Sequence, residues 1–297
     1  MRFGDEGESS NFEDVTGRSG GGFGFGGGGG NALGCLLPMI ASRFGIGGVV
    51  VLVIGYFLLS SLGGLGGGGG GGGLIPGAQQ GTPAGQSTLD PNTERFMRQV
   101  LKSTEETWGQ LLGGSYQPTT LVACSRSYQS GCGAAQSAMG PFYCPTDTKI
   151  YLDTEFFNEL SQRFQAPGDF AMAYVIAHEV GHHVQDLQGT LEQAHNLQAR
   201  SSEEEGNAVQ VKVELQADCY AGVWAANAKD SQGRSLMEPG DFEEGMRAAE
   251  AIGDDTLQRQ TQGRVVPDCF THGTSAQRMN ALRTGFQSGD PAACKSL

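Results

Sequence analysis

The sequence predicts an α+β protein, a small β-sheet followed by a run of helices, behind one membrane-spanning helix. Three observations predict it. The stretch "FGIGGVVVLVIGYFLLSSL" at 44–62 carries no charged residue. Short β-branched and apolar runs, punctuated by turn residues, lie between 119 and 153. After them, apolar residues recur at helical spacing nearly to the C-terminus.

Taken in order, residues 1–43 read as a glycine-rich cytoplasmic tail and 63–89 as a glycine-rich flexible linker. The chain has 49 glycines, many in "GGGFGFGGGGG" at 20–30 and "GGLGGGGGGGG" at 63–73. Poly-glycine buries no side chain and loses the most backbone entropy on ordering. As a helix, 44–62 would rise about 28 Å, enough for a bilayer's hydrocarbon core. More than 40 polar and glycine-rich residues precede it and no A-x-A site follows, so an uncleaved single-pass anchor fits better than a cleaved signal. Arg43 adjoins the segment, whereas the first charge beyond it is Asp90. That asymmetry predicts a cytoplasmic N-terminus and an extracytoplasmic domain at 90–297 in the cell envelope.

Charge and cysteines bound the partners. The formal net charge of −13 disfavours nucleic acid, whose phosphates such a surface repels. Of seven cysteines, Cys35 precedes the apolar segment and six follow it. Six in an extracytoplasmic domain fit three disulfides, with the pairing open. No Cys-x-x-Cys occurs, which argues against a cysteine zinc site.

Within 90–297, Asp90 is placed to cap a helix with Pro91 at its first position. "TTLVACS" (119–125) and "KIYLD" (149–153) read as strands, and "GPFYCPTD" as another strand with a turn. "TEFFNELSQRF" then gives a helix. Asp169 is expected to cap "FAMAYVIAHEVGHHVQDL", whose apolar first half predicts burial. A long helix runs through "NAVQVKVELQADCYAGVWAANAK". Asp241 with Glu244, and Thr274 with Gln277, resemble capping boxes before two more helices.

The chemistry sits in "YVIAHEVGHHVQ" (174–185). His178 and His182 are four residues apart, so one helical face directs both imidazoles at one point. Neutral imidazole suits zinc. Glu179 projects about 100° around the helix, beside the metal, where a general base for a zinc-activated water belongs. A chance match is expected on the order of once in a few hundred such chains. Gly181 inside the motif costs about 1 kcal/mol of helix stability relative to alanine, which a close backbone or ligand approach would explain.

A catalytic zinc needs a third protein ligand and leaves the fourth position open. In "VELQADCYAG", Glu214 is placed to supply it, and Asp218, one turn on, to hold a zinc histidine's second N–H. His183 points about 140° away from His178 and cannot share the metal. His195 lies in the polar stretch "LEQAHNLQAR" and reads as a surface residue. His272, just before a predicted helix, is a candidate donor to the oxyanion of a tetrahedral intermediate. For an extended peptide substrate, "KIYLD" is the candidate edge strand.

With these residues in place, the chain resembles the gluzincin branch of zinc metallopeptidases. More specifically, "AQSAMGPFYCP", "APGDFAMAYVIAHEVGHHVQ", "ELQADCYAGVW" and "FTHGTSAQR" look like a family of bacterial membrane-anchored neutral zinc metallopeptidases. The resemblance implies a zincin-like fold and one Zn²⁺ held by His178, His182 and Glu214. It further implies Glu179 as the catalytic residue and Asp218 in a supporting role. Cys124 and Cys269 stand where that family more often has other residues; if they pair, Cys132–Cys144 and Cys219–Cys294 remain. The expected activity is zinc-dependent endopeptidase hydrolysis of peptides or proteins. The rival readings are a non-proteolytic zinc-binding envelope scaffold and an amidase acting on a non-protein substrate.

Overall fold

A computed structural model describes residues 1–17, 87–125, 127–136, 140–162 and 165–296. The apolar segment 44–62 and both glycine tracts lie outside the described residues. Among those described, no helix is long and apolar enough to cross a membrane.

The architecture is α+β, as the strand runs and helical spacing imply. Four strands form the main sheet: β1 (Phe12–Asp14), β2 (Thr120–Cys124), β5 (Phe142–Cys144) and β6 (Lys149–Asp153), in the order β1-β2-β6-β5. The β1–β2 and β2–β6 pairs are parallel, and β5 runs antiparallel to β6. A separate hairpin, β3 (Ser127–Ser130) with β4 (Gly133–Gln136), is tied to β5 by the Cys132–Cys144 disulfide. "KIYLD" is therefore an interior strand, not the edge expected from sequence. The edges of the main sheet are β1 and β5.

Side chains alternate across the strands as the two-residue period requires. Leu121, Ala123, Ile150 and Leu152 join the large core, while Val122, Cys124 and Tyr151 form a smaller cluster on the opposite face. This alternation overturns the expected third disulfide. Cys124 is buried in the small cluster, whereas Cys269 is exposed and packs on the helical side. The sheet stands between them, and both thiols are free; Cys219–Cys294 is the second disulfide.

Residues 1–17 belong to the domain. Phe3 and Phe12 are in the large core, and Phe12 pairs in register with Leu121. The Arg98 guanidinium lies 4.3 Å over the Phe12 ring. The Met1 α-ammonium sits 2.6 Å from Asp169, 3.2 Å from Asp241 and 3.5 Å from Glu238. At the other end of this segment, the Thr88 N–H donates to Thr16 Oγ1 at 3.0 Å. Residues 18–43 lie outside the described residues, but these contacts set residues 1–17 against 90–297, where the sequence placed them in a tail separate from a domain that starts at 90. They also conflict with the expected topology, because one crossing within 44–62 would leave 1–17 and 90–297 on opposite sides of a membrane.

Eight helices are described. They are α1 (Pro91–Leu112), α2 (Glu155–Gln162), α3 (Asp169–Leu187), α4 (Thr190–Gln198), α5 (Glu203–Asn227), α6 (Asp241–Ala251), α7 (Asp254–Gln262) and α8 (Ser275–Ser288). Asp90 caps α1 through Thr93 N–H with Pro91 at its start, and Thr274–Gln277 forms a capping box on α8. Ser202–Glu205 forms another on α5, unforeseen from sequence. Asp169 and Asp241 are not caps: α3 and α6 begin after Gly168 and Gly240, without a side-chain cap. Both carboxylates instead accept from Met1, and Asp241 also takes the Glu238 N–H.

Three helices approach closely enough to fix the site. A Cβ on Gly285 would collide with the Cys219 carbonyl, and one on Gly222 with the Leu282 carbonyl, so α5 and α8 meet backbone to backbone. The Cys219–Cys294 bridge reinforces that contact. Between α3 and α5, a Cβ on Gly181 would lie 3.0 Å from the Ala217 carbonyl oxygen. This is the close backbone approach that the glycine in the motif implied.

Candidate metal centre

α3 is buried on nearly every side, so its polar residues face protein rather than water. His178 and His182 stand one turn apart with ring centroids 4.7 Å apart and planes at 86°. Each Nδ1 is engaged away from the cluster. His178 Nδ1 donates to Asp218 Oδ1 at 2.8 Å, and His182 Nδ1 to Gln185 Oε1 at 2.8 Å. Gln185 can only present its oxygen there, because its Nε2 donates to the Val213 carbonyl at 2.7 Å and to Gln216 Oε1 at 3.0 Å. Both Nε2 lone pairs are thereby left for a metal.

They point at Glu214, carried by α5. Its Oε2 lies 3.2 Å from His178 Nε2 and 3.7 Å from His182 Nε2. Tetrahedral ligands on zinc bonds of about 2.05 Å stand about 3.3 Å apart, so the spacing and donor types suit that ion. Glu214 Oε1 is occupied separately, accepting from Gln210 Nε2 at 2.9 Å. Asp218, fully buried, accepts on Oδ1 from His178, from Tyr174 Oη at 2.6 Å and from Arg278 at 2.9 Å. Gln185, Gln210 and Arg278 escaped the sequence reading; Gln185, three residues after His182, and Gln210, four before Glu214, left a local signal on their own helices, and Arg278 left none.

Electrostatics follow from burial among these charges. Burial opposes protonation of His178, but Asp218, Glu214 and Glu179 outweigh it and push its pKa up to about 10. The carboxylates that draw a proton to this cluster draw a metal cation there by the same attraction. Burial works against ionisation of Glu214, yet His182, His272 and His178 hold it well below the ordinary carboxylate range. For Glu179 burial prevails and raises the pKa, although His178 and His182 oppose it. The Tyr143 backbone, in edge strand β5, is near enough to Glu179 to work weakly against that rise.

His272 is close enough to Glu214 that the carboxylate helps raise its pKa against the effect of burial. Its Nδ1 lies 3.2 Å from Asp254 Oδ1. Asp254 Oδ2 accepts the backbone N–H groups of Thr271, His272 and Gly273 at 2.7, 2.7 and 3.0 Å, clamping the loop that carries the ring. Asp254 is a further residue that sequence spacing did not disclose. His183 faces away from the cluster, with Nε2 donating to the Gln117 carbonyl at 2.6 Å, and His195 is exposed. Another convergence of carboxylates, Asp169, Asp241 and Glu244, is where the Met1 ammonium docks.

The chain matches, over residues 1–297, the model of a family described as "Putative neutral zinc metallopeptidase". It is 44% identical over 304 residues to the uncharacterized protein YpfJ of Escherichia coli K12, a match covering 100% of this chain and 99% of that one. It is 43% identical over 203 residues to the uncharacterized protein Rv2575 of Mycobacterium tuberculosis H37Rv, covering 66% of this chain and 67% of that one. No solved structure matches it.

Proposed function

We propose that this chain, which belongs to the neutral zinc metallopeptidase family, is an endopeptidase with one zinc ion at His178, His182 and Glu214. The observation that carries the reading is the aim of two imidazole Nε2 atoms and one carboxylate oxygen at a common point, with Glu179 beside them. Zinc, when bound, supplies Lewis acidity that polarises a substrate carbonyl and acidifies water.

The rest is done by the protein. Glu179, whose raised pKa suits it to exchange protons nearer neutrality, takes the proton of the attacking water and passes it to the leaving amine. His272, oriented by Asp254, is the donor to the developing oxyanion. β5 replaces "KIYLD" as the strand for an extended substrate. It is an edge of the sheet, and its backbone at Tyr143 lies near Glu179. The two disulfides suit an oxidising, extracytoplasmic setting. Membrane attachment through 44–62 is kept in the proposal, amended so that 1–17 and the domain share one side.

The test is peptide-library profiling of the zinc-loaded chain beside Glu179→Gln. The parent should cleave and stop with chelator; Glu179→Gln should keep zinc and fold but lose at least about 10³-fold in rate. A parent that binds zinc and cleaves no peptide overturns the peptidase in favour of the scaffold. Turnover of cell wall alone would instead favour the amidase.

A further inference from the structure

Arg278 is the most deeply enclosed cation near the site, 3% exposed, and it touches neither the metal ligands nor Glu179. Its fork grips Asp218 through both oxygens: Nε to Oδ2 at 2.9 Å and Nη2 to Oδ1 at 2.9 Å. Nη2 also donates to Tyr174 Oη at 3.1 Å, and that hydroxyl donates to Asp218 Oδ1 at 2.6 Å. The carboxylate that orients His178 is thus itself oriented by a closed ring of three side chains from α3, α5 and α8.

A carboxylate can rotate about its last bond, and each rotation would move the acceptor lone pair away from His178 Nδ1. Two parallel N–H···O bonds from a planar guanidinium remove that freedom; an ammonium, which binds as a point charge, does not. The guanidinium is in turn held by its backbone. α8 is seated against α5 by the Gly222 and Gly285 contacts and the Cys219–Cys294 bridge, and its capping box begins only four residues before Arg278.

We infer that Arg278 is a positioning residue of the zinc site, setting the His178 ring through Asp218 by the geometry of its fork rather than by charge alone. The inference rests on the metal centre proposed above. A buried ion pair that served only to hold α8 on α5 would change thermal stability and leave the zinc affinity of the folded protein untouched.

The experiment measures zinc affinity of the full chain by competition with a chromophoric chelator, with circular dichroism to confirm folding. The cobalt(II)-substituted visible spectrum reports ligand geometry. Arg278→Lys keeps the charge and loses the fork; zinc affinity is expected to fall about 10–100-fold, the usual effect of losing an outer-sphere partner, with a shifted cobalt spectrum. Combining it with Asp218→Asn should cost little beyond Asp218→Asn alone, since both act on one ring. Affinity within twofold of the parent, or fully additive losses, overturns the inference. Should the lysine variant not fold, Tyr174→Phe opens the same ring from α3 with its volume kept. A several-fold loss of affinity is then expected, and no loss overturns the inference. A parent that takes up no zinc overturns the metal centre itself, a result distinct from either of these.

Discussion

Replacing Gly181 by alanine tests whether the α3–α5 spacing sets the metal site. A Cβ there would meet the Ala217 carbonyl oxygen at 3.0 Å and its Cα at 3.1 Å, whereas ordinary contact starts at 3.4 Å. Relief requires α5 to yield by about 0.4 Å at Ala217, which lies three residues after Glu214 and one before Asp218. Zinc–ligand distances tolerate roughly 0.2 Å. Alanine gains about 1 kcal/mol in helix propensity, and overpacking a tight contact costs about 1–3 kcal/mol. Stability should therefore fall by no more than about 2 kcal/mol, a few degrees in Tm for a domain this size. Zinc affinity should fall about tenfold or more, so that metal binding suffers out of proportion to folding. Chelator competition and thermal denaturation of the same samples decide it. A raised Tm with parental zinc affinity would refute the claim that backbone spacing at Gly181 sets the site.

Three further outcomes follow from the same geometry. In the chelator-treated chain, His178 has its pKa raised from 6.5 to about 10, so its contribution to stability is complete below pH 6.5 and disappears as pH rises through 10; Met1 and His272, also raised, act in the same direction, and a metal-free Tm that stays flat between pH 7 and 10 would contradict this. Of the two free thiols among the described residues, exposed Cys269 should react with maleimide in the native protein. Cys124, buried and pushed up to about 12 chiefly by desolvation, should react only after unfolding, and non-reducing peptide maps should join Cys132 to Cys144 and Cys219 to Cys294. An impermeant maleimide should reach Ser10→Cys and Cys269 from the same face of membrane vesicles, since residues 1–17 pack on the domain; labelling from opposite faces would reject that packing.

What could be read in the sequence was what depends on near neighbours along the chain. His178, Glu179 and His182 lie on one turn, Glu214 and Asp218 on another, and the Asp90 and Thr274 caps need only three following residues. What could not be read depends on distant partners. β1 is three residues long and finds its register on a strand more than a hundred residues away, so no periodicity announces it. Asp169 and Asp241 have the residue type of caps, but the Met1 ammonium claims them, a tertiary contact overriding a local preference. "KIYLD" has the composition of any strand, and only the sheet order shows that β5 covers its outer edge. Arg278 and Asp254 act through space on α5 and on the loop at 271–273, and neither stands at a telling interval from the residue it serves.

The choice between enzyme and scaffold turns on how many protein ligands the site can muster. A structural zinc is closed by four, and a catalytic zinc keeps one position open. Among the described residues, the other groups that could close it are engaged elsewhere. Glu214 Oε1 is tied to Gln210, which works against bidentate binding. His183 is turned to the Gln117 carbonyl, and Asp218 is consumed by His178, Tyr174 and Arg278. Asp254 engages only the Nδ1 of His272, but that ring is not one of the three side chains whose ligand atoms converge. Glu179 remains, buried beside His178 and His182. A fold that needed zinc only as a rivet would gain by letting one of these groups close the shell. Here hydrogen bonds and distance hold them back, which favours the open position that the proposed base Glu179 would serve.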